Sequence, residues 1–255
     1  MIRRIKMIVP VPVPAEALST FASQIPPALA RPDISVEFAC APRGGRTLDS
    51  CYEGTIADAA CLEAGEKAES EGFAAVCINS MSDSGVAALR SRLSIPVIGT
   101  AQASYLAACQ IGRKFSIIGM WDRWRWLYEK VLTEQGLHHR LASIRSIGVR
   151  PDTASLLEGK EDFVFPLLAE AGRKAIEEDG ADVLILGSTT MHQSHAFLAK
   201  DMPVPVINPG LVAYKACEMV LDLGLSHSKL AYLSPESFGV EPHAARSSGA
   251  AELVG

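Results

Sequence analysis

The sequence predicts an α/β fold with two pseudo-symmetric lobes, each built on a short parallel sheet flanked by helices, and an active-site cleft between them. Apolar, strand-like runs alternate with helical stretches along the chain, a pattern typical of parallel sheets. The same unit also occurs twice: Gly72 precedes Ser80 by eight residues through an apolar run, and Gly180 precedes Ser188 in the same way. We therefore expect two equivalent strand ends to face each other across the cleft.

The repeat extends beyond the two serines. A proline follows each serine 16 or 17 positions later inside an apolar cassette, at residues 95–99 and 204–208. A tyrosine stands nine residues past each proline, at Tyr105 and Tyr214. We therefore assign residues 1–100 plus 209–255 to the first α/β lobe and residues 101–208 to the second.

The first half of the chain supplies four predicted strands. Residues 5–9 form an apolar run that ends at a proline cluster, which is typical of a buried strand. Residues 35–40 alternate in polarity, and residues 73–78 are apolar on both faces, as in the middle of a parallel sheet. The other predicted elements of this half are a strand at 96–98 and helices that begin at Pro14 or cover 53–71, 85–92 and 101–110.

The second half repeats this order. Residues 161–178 form a long amphipathic helix, which Gly180 closes. Residues 183–186 are the counterpart of the strand at 73–78. The other predicted elements of this half are strands at 115–119, 143–149 and 204–207 and helices at 121–136, 192–200 and 210–222.

Composition argues against several classes of protein. The net charge is −5 and no basic stripe with interleaved aromatic residues occurs, so nucleic-acid binding is not expected. No apolar run is long enough for a signal sequence or a membrane span, which predicts no membrane partner and a cytoplasmic location. The six cysteines form no C-x-x-C pair, and His192 and His195 lack a third ligand, so no metal is predicted. Glycine-rich nucleotide-binding motifs are missing as well, and no cofactor is expected.

The first candidate loop follows the strand predicted at 73–78. Ser80 stands just past this strand, where ligands bind in open parallel sheets, and is predicted to face the reacting carbon. Met81 and the hydroxyl of Ser82 are predicted to contact the substrate. Asp83 and Ser84 have the residue types of helix caps, and Asp83 is also a candidate for carrying a proton.

The second candidate loop repeats this arrangement in the second lobe. Ser188 is the counterpart of Ser80. The hydroxyls of Thr189 and Thr190 suit either an oxyanion or a helix cap. His192 is a candidate proton donor at the rim of the cleft.

Three tryptophans follow the strand predicted at 115–119. Trp121 comes directly after the carboxyl end of that strand, so we expect it to wall the cleft. Trp124 and Trp126 are expected to pack in the interior or at an interface between copies of the chain.

Several segments resemble the aspartate/glutamate/hydantoin racemase superfamily, over nearly the whole chain. The matching segments are residues 5–10, 83–85, 95–99, 113–117, 177–182, 186–187, 191 and 204–207, and residues 223–230 resemble a hydantoin-racemase-like branch. The resemblance implies two pseudo-symmetric lobes with the site between them. It also implies a homo-oligomeric, cofactor-independent enzyme that acts on a small carboxylate or a cyclic amide.

The usual mechanism of this superfamily employs two cysteines, one from each lobe, which remove and return a proton on opposite faces of a carbon. By motif, those positions fall on Ser80 and Ser188 in this chain. A cysteine thiol has a pKa of about 8.5, whereas a serine hydroxyl is a far weaker acid that needs help to react. The resemblance therefore implies chemistry that departs from the usual two-cysteine route.

The loop after the first strand departs from the superfamily as well. Relatives often carry asparagine and hydroxyl residues there, whereas this chain has alternating valine and proline. Val9 and Val11 are therefore predicted to give the cleft an apolar side. Ser50 and Tyr52 lie in a segment that resembles a substrate-contacting stretch and are predicted to supply polar contacts.

Three explanations stay open at this point. The chain is a divergent enzyme that keeps oxyanion-binding loops for isomerase, lyase, decarboxylase or hydrolase chemistry. Alternatively, it is a two-base amino-acid or hydantoin racemase in which serine replaces both cysteines, although the changed loop after the first strand argues against this. The third explanation is a non-catalytic protein that binds a small molecule on the same scaffold.

Overall fold

The computed structural model describes residues 2–152 and 163–236, which form two parallel sheets covered by helices. The strands in these ranges are Arg3–Val9 (β1), Ile34–Cys40 (β2), Ala75–Ile78 (β3), Val97–Gly99 (β4), Phe115–Gly119 (β5), Leu141–Ser146 (β6), Val183–Leu186 (β7) and Val206–Ile207 (β8). The α-helices are Ala15–Ala22 (α1), Cys51–Gly65 (α2), Val86–Arg92 (α3), Thr100–Ile111 (α4), Arg125–Gln135 (α5), Phe165–Glu177 (α6), His195–Asp201 (α7) and Pro209–Asp222 (α8). Short 3-10 helices cover Asp122–Trp124, His138–Arg140 and Thr189–Ser194.

The two sheets share one topology. The strand order is β2-β1-β3-β4 in the first sheet and β6-β5-β7-β8 in the second, and every neighbouring pair is parallel. The second order is the first with each strand number raised by four, as a duplicated unit would produce. The predicted α/β fold with two pseudo-symmetric lobes is confirmed.

The inner strands β3 and β7 are buried along their whole length. Gly72 and Gly180, which precede them, have φ angles of +80° and +74°. Residues with a Cβ are strained in this left-handed conformation, whereas glycine adopts it freely. The repeated glycines therefore turn the chain into the central strand of each lobe.

Helix α8 returns the chain to the first sheet. Ala213, Tyr214 and Cys217 on this helix are buried and pack in one cluster with Ile5 and Met7 of β1. The assignment of residues 209–255 to the first lobe stays a prediction, and residues 237–255 lie outside the described part of the chain.

The two lobes share a hydrophobic core. Leu48, Ala57 and Met81 from the first half of the chain are buried in the same cluster as Ile118 of β5 and Leu186 of β7. Apolar burial of this kind is the main favourable contribution to folding. The lobes therefore pack as one unit, which fixes the position of each strand end relative to the other.

Several predicted elements have different bounds in the structure. The helix predicted at 192–200 begins as the 3-10 turn Thr189–Ser194, and the strands predicted at 143–149 and 204–207 are Leu141–Ser146 and Val206–Ile207. The helix predicted at 53–71 ends at Gly65, because the chain turns there and the N–H of Ala68 donates to the Gly65 carbonyl at 2.9 Å. The helix predicted at 121–136 begins as the 3-10 turn Asp122–Trp124 before α5. For the helix predicted at 161–178, the first two residues lie outside the described residues and the α-helix spans Phe165–Glu177.

Within residues 2–152 and 163–236, none of the helices combines the length and the apolar character that crossing a membrane requires.

Candidate active site

A cavity of about 100 Å³ lies between the lobes, beyond the carboxyl ends of β3 and β7. The polar residues that line it come from both lobes: Arg46, Thr47, Asn79, Ser80, Asp152, Ser188, Thr189 and Thr190. Its other lining residues are Val9, Pro10, Val11, Val13, Phe21, Leu48, Met81, Trp124, Leu127, Pro151 and Gly187. Apolar walls with a few convergent polar groups are typical of a small-molecule site.

Ser80 lines this cavity from the end of β3. Its Oγ accepts a hydrogen bond from the backbone N–H of Ser82 at 3.3 Å and a second from the hydroxyl of Ser82 at 3.1 Å. A hydroxyl oxygen has two acceptor positions and one hydrogen. Because Ser82 occupies both acceptor positions, the hydrogen of Ser80 is available to a ligand in the cavity.

Ser188 lines the same cavity from the end of β7. Its Oγ accepts from the backbone N–H of Thr190 at 3.2 Å and lies 2.9 Å from the hydroxyl of Thr190. Each serine oxygen therefore contacts the N–H and the hydroxyl of the residue two positions later. Hydrogen-bond donors favour the charged form of the oxygen that they contact. The two loops thus offer equivalent oxygens from opposite lobes, each supported by two polar groups.

A hydrogen bond joins the two loops directly. The hydroxyl of Thr189 donates to the backbone carbonyl of Asn79 at 3.3 Å. The Asn79 side chain in turn pairs with the amide of Gln24, through two hydrogen bonds of 3.2 Å each. These buried contacts fix the position of the Ser80 loop relative to the Ser188 loop.

Asp83 lies outside the cavity, contrary to its predicted catalytic role. Its carboxylate is buried and accepts hydrogen bonds from the backbone N–H groups of Ala101 at 2.8 Å and Gln102 at 2.9 Å, at the start of α4. Burial raises the pKa of Asp83 to about 6. The side chain therefore caps a helix and is not positioned to exchange a proton with a ligand in the cavity.

His192 also lies outside the cavity lining. Its Nδ1 is 3.1 Å from the Thr189 carbonyl oxygen, and its Nε2 is 2.9 Å from the hydroxyl of Ser23, just past helix α1. Burial lowers the pKa of His192 below its ordinary value, which favours the neutral ring. The predicted role as proton donor to the ligand does not fit this position, because the ring links the second loop to the end of α1.

Three predicted polar contacts have other roles. Ser50 caps α2, where its Oγ accepts from the N–H of Glu53 at 3.4 Å. Tyr52 is 76% exposed and does not line the cavity. Ser82 is buried behind Ser80 and faces a second cavity instead. None of the three reaches the ligand cavity directly.

The aromatic wall of the cavity is Trp124 and not Trp121. Trp121 is half-buried, and its ring lies within 6 Å of the guanidinium groups of Arg123 and Arg150. Trp124 lines the cavity and its Nε1–H donates to the Thr47 carbonyl at 2.6 Å. Because a 3-10 turn precedes α5, the tryptophan that lines the cavity lies three residues later in the chain than predicted.

Other predicted contact residues do lie in the cavity lining. These are Val9, Val11, Met81, Thr189 and Thr190, together with both serines. The sequence reasoning missed Asn79, although it directly precedes Ser80 in the predicted loop. It also missed Phe21, Thr47 and Leu48, which reach the cavity by tertiary packing and carry no local pattern that marks them.

No group of three or more histidine, cysteine, aspartate or glutamate side chains is arranged to hold a metal ion in the described ranges. His195 makes a separate contact from His192, because its Nε2 lies 3.0 Å from the Val206 carbonyl oxygen. The two histidines therefore bind different partners.

The fold and this cavity define an α/β enzyme of the two-lobed kind, whose site lies between equivalent strand ends. The family model for Asp/Glu/Hydantoin racemase matches residues 15–217. The chain therefore belongs to the Asp/Glu/hydantoin racemase family and is a racemase-type enzyme.

Named relatives agree with this assignment. A hydantoin racemase from a Pseudomonas species is 29% identical over 208 residues, which cover 81% of this chain and 82% of the relative. The structure of an allantoin racemase from Klebsiella pneumoniae has a TM-score of 0.85 and 26% identity, covering 94% of this chain and 97% of the other. An allantoin racemase from Pseudomonas fluorescens has a TM-score of 0.83 and 27% identity, covering 94% of this chain and all 100% of the other. The similarity thus spans both lobes.

Proposed function

We propose that this enzyme moves the proton next to a carbonyl group in a small cyclic amide of the hydantoin type that carries an apolar substituent. One observation supports the proposal most strongly: the hydroxyls of Ser80 and Ser188 line one cavity from opposite lobes, in equivalent hydrogen-bond environments. Two such groups can act on the two faces of a single carbon. That is what the interconversion of mirror-image forms requires.

The apolar part of the cavity lining suits a ring that carries an apolar substituent. The side formed by Val9, Val11, Val13 and Phe21 offers apolar side chains to a substituent. A cyclic amide presents a few N–H and carbonyl groups, which the hydroxyls of the two loops can satisfy.

The reaction would pass through an enolate. As the alkoxide form of one serine takes the proton from the ring carbon, the electron pair moves into the carbonyl group and negative charge develops on the carbonyl oxygen. Hydrogen-bond donors that are already in place stabilise such an oxyanion. In this chain, Thr47 is a lining residue with a suitable hydroxyl. The serine on the opposite face then supplies a proton to the carbon, which completes the inversion.

Serine is a weak acid and a weak source of alkoxide, so the environment of each oxygen matters. The N–H and hydroxyl of Ser82 support Ser80, and those of Thr190 support Ser188. Asp83 and His192 take no part in this scheme, because neither lines the cavity. The ring proton of a cyclic amide is also easier to remove than that of an amino-acid anion, because the ring carries no charge that opposes the enolate.

The proposal is tested by following the optical rotation of 5-alkyl hydantoins with the wild type and with single variants Ser80→Ala and Ser188→Ala. We expect each substitution to lower the rate above the uncatalysed background by at least about 10²-fold, the usual contribution of a positioned acid or base. Ser19→Ala is the matched control, because Ser19 is exposed on α1 and does not line the cavity.

Wild-type rates in both serine variants would refute the proposal. A hydantoin that raises the melting temperature of the wild type but never changes would instead identify a binding protein. Substituted malonates and free amino acids belong in the same assay, because conversion of these alone would replace the proposed substrate class.

A further inference from the structure

We propose that the hydroxyls of Ser82 and Ser84 carry protons between Ser80 and a second cavity, a proposal that rests on the proposed function. This second cavity has a volume of about 340 Å³ and is lined by Ser82 and Ser84. The first cavity is lined by Ser80 from the same loop. The loop therefore separates two cavities and contributes a hydroxyl to each side.

The three hydroxyls form a continuous hydrogen-bonded chain. Ser82 Oγ lies 3.1 Å from Ser80 Oγ and 2.9 Å from Ser84 Oγ. Ser82 and Ser84 are each only 1% exposed, so the contacts are shielded along the chain. The Ser82–Ser84 separation is typical of a hydrogen bond between hydroxyls, and the Ser80–Ser82 separation is slightly longer, so a proton would pass to Ser80 as the two oxygens move together.

The chain is oriented to deliver protons inward. Ser82 donates to Ser80, so Ser84 donates to Ser82. When Ser80 has given its proton to the substrate carbon, its oxygen takes the proton of Ser82. Ser82 then takes the proton of Ser84, and Ser84 takes one from water in the second cavity. Each serine oxygen loses one proton and gains one, and the water is left as hydroxide. The reverse sequence returns a proton to that hydroxide when Ser80 has taken one from the substrate.

The outer end of the chain meets a polar, solvent-accessible region. Lys130 Nζ lies 3.6 Å from Asp58 Oδ1, and both side chains line the second cavity with relative exposures of 31% and 42%. Asp58 also accepts the backbone N–H of Gly85 at 2.9 Å, which anchors the loop beside Ser84. A cavity of this size with charged and hydroxyl groups in its lining has room for water, the carrier that the relay needs.

Ser188 differs from Ser80 in that its hydroxyl partner does not lead to the second cavity. The hydroxyl that contacts it belongs to Thr190, which lines the first cavity itself. A ligand that fills the first cavity would therefore slow the exchange of the Ser188 proton with solvent, while Ser80 stays connected to the second cavity. The relay would allow Ser80 to exchange its proton without release of the substrate.

The test compares Ser84→Ala, Ser84→Thr and the wild type on a 5-alkyl hydantoin in deuterated water. Ser84 touches neither Ser80 nor the first cavity, so its loss leaves the reacting groups in place. We expect Ser84→Ala to lower kcat by about 10-fold or more with KM unchanged, and Ser84→Thr to recover the wild-type value because it keeps the hydroxyl. Thr55→Val is the control, because it removes a hydroxyl that lines the second cavity outside the relay.

The isotope in the product provides a readout that a structural defect would not change. In the wild type, Ser80 exchanges with solvent and delivers deuterium to the carbon. In Ser84→Ala, Ser80 keeps the hydrogen that it has taken from the bound substrate, so return of that hydrogen to the same face leaves protium in the starting enantiomer. Wild-type kcat and full deuteration in Ser84→Ala, with Ser80→Ala inactive, would overturn the relay alone. Equal activity in all of these proteins, or none in the wild type, would overturn the proposed function and the relay with it.

Discussion

The two cavity serines differ from ordinary exposed serines in what surrounds their oxygens. Ser82 gives Ser80 both a backbone and a side-chain contact, and Thr190 does the same for Ser188. Two polar contacts to one oxygen lower the cost of a negative charge there. The residue type alone would predict a poor acid, whereas this local geometry gives each serine a feasible role in proton transfer.

The repeat in the sequence was enough to identify Ser80 and Ser188 as the lining residues of one site. The predicted proton-carrying roles of Asp83 and His192 came from residue type and loop position and do not fit the structure, because the partners of these side chains come from distant parts of the chain. The start of α4 binds the carboxylate of Asp83, and the residue after α1 binds the ring of His192. Nothing in the local sequence distinguishes a carboxylate or an imidazole that faces a cavity from one that caps or links helices.

Asp83 leads to a prediction for the pH dependence of stability. Because burial raises its pKa to about 6, the folded protein holds this proton more tightly than the unfolded chain. Its stabilising contribution is therefore complete below about pH 4 and is lost as the pH rises through 6, by about 3 kcal/mol in all. Asp83→Asn has no such loss, so its unfolding free energy relative to wild type should rise by about that amount between pH 4 and pH 7.

Urea unfolding at the two pH values measures this difference. Equal pH dependence in the variant and the wild type would contradict the raised pKa of Asp83.

At the scale of elements, the strand ends set the position of each loop. Gly187 follows β7 and packs tightly: an alanine Cβ there would lie 2.5 Å from Tyr128 Oη and 2.9 Å from Gly119 Cα. Tyr128 Oη donates to the Gly187 carbonyl at 2.8 Å, and burial keeps this hydroxyl protonated by raising its pKa. Helix α5 therefore holds the loop of Ser188 against β5.

We predict that Gly187→Ala destabilises the protein by about 2 kcal/mol, because the methyl group overpacks a backbone contact. Tyr128→Phe should cost about 1 kcal/mol through the lost hydrogen bond. The double variant should lose less stability than the sum, since removing Oη relieves the closest contact. Thermal unfolding of the three variants measures this, and strict additivity would contradict the packing described.

The order of the elements was predictable from the sequence, but the sequence predicted only some of the residues that reach the cavity. Alternation of apolar runs and helices predicted the strands, because parallel sheets bury both faces. The 3-10 turn at Asp122–Trp124 was not predictable from the aromatic pattern, so the wall was assigned to Trp121 instead of Trp124. Leu48 lies in a loop with a φ of +53°, a conformation that its residue type does not indicate.

At the scale of the whole molecule, a shared core and hydrogen bonds between the lobes fix the width of the cleft. Met81 of the first loop is buried in the same cluster as Leu186 of β7, and Thr189 donates to the Asn79 carbonyl across the lobes. The cavity therefore has a defined size before any ligand binds. Assembly into a homo-oligomer stays a prediction from family resemblance.

The two-sided site makes a prediction about handedness. Each serine reaches one face of the ring carbon, so each should remove the proton from one enantiomer only. The most direct test follows deuterium exchange at that carbon by NMR, with each pure enantiomer of a 5-alkyl hydantoin. The wild type should exchange both enantiomers, Ser80→Ala should exchange only one, and Ser188→Ala should exchange only the other. If both variants stopped exchanging the same enantiomer, or if both still exchanged the two enantiomers, a site with one serine on each face would be contradicted.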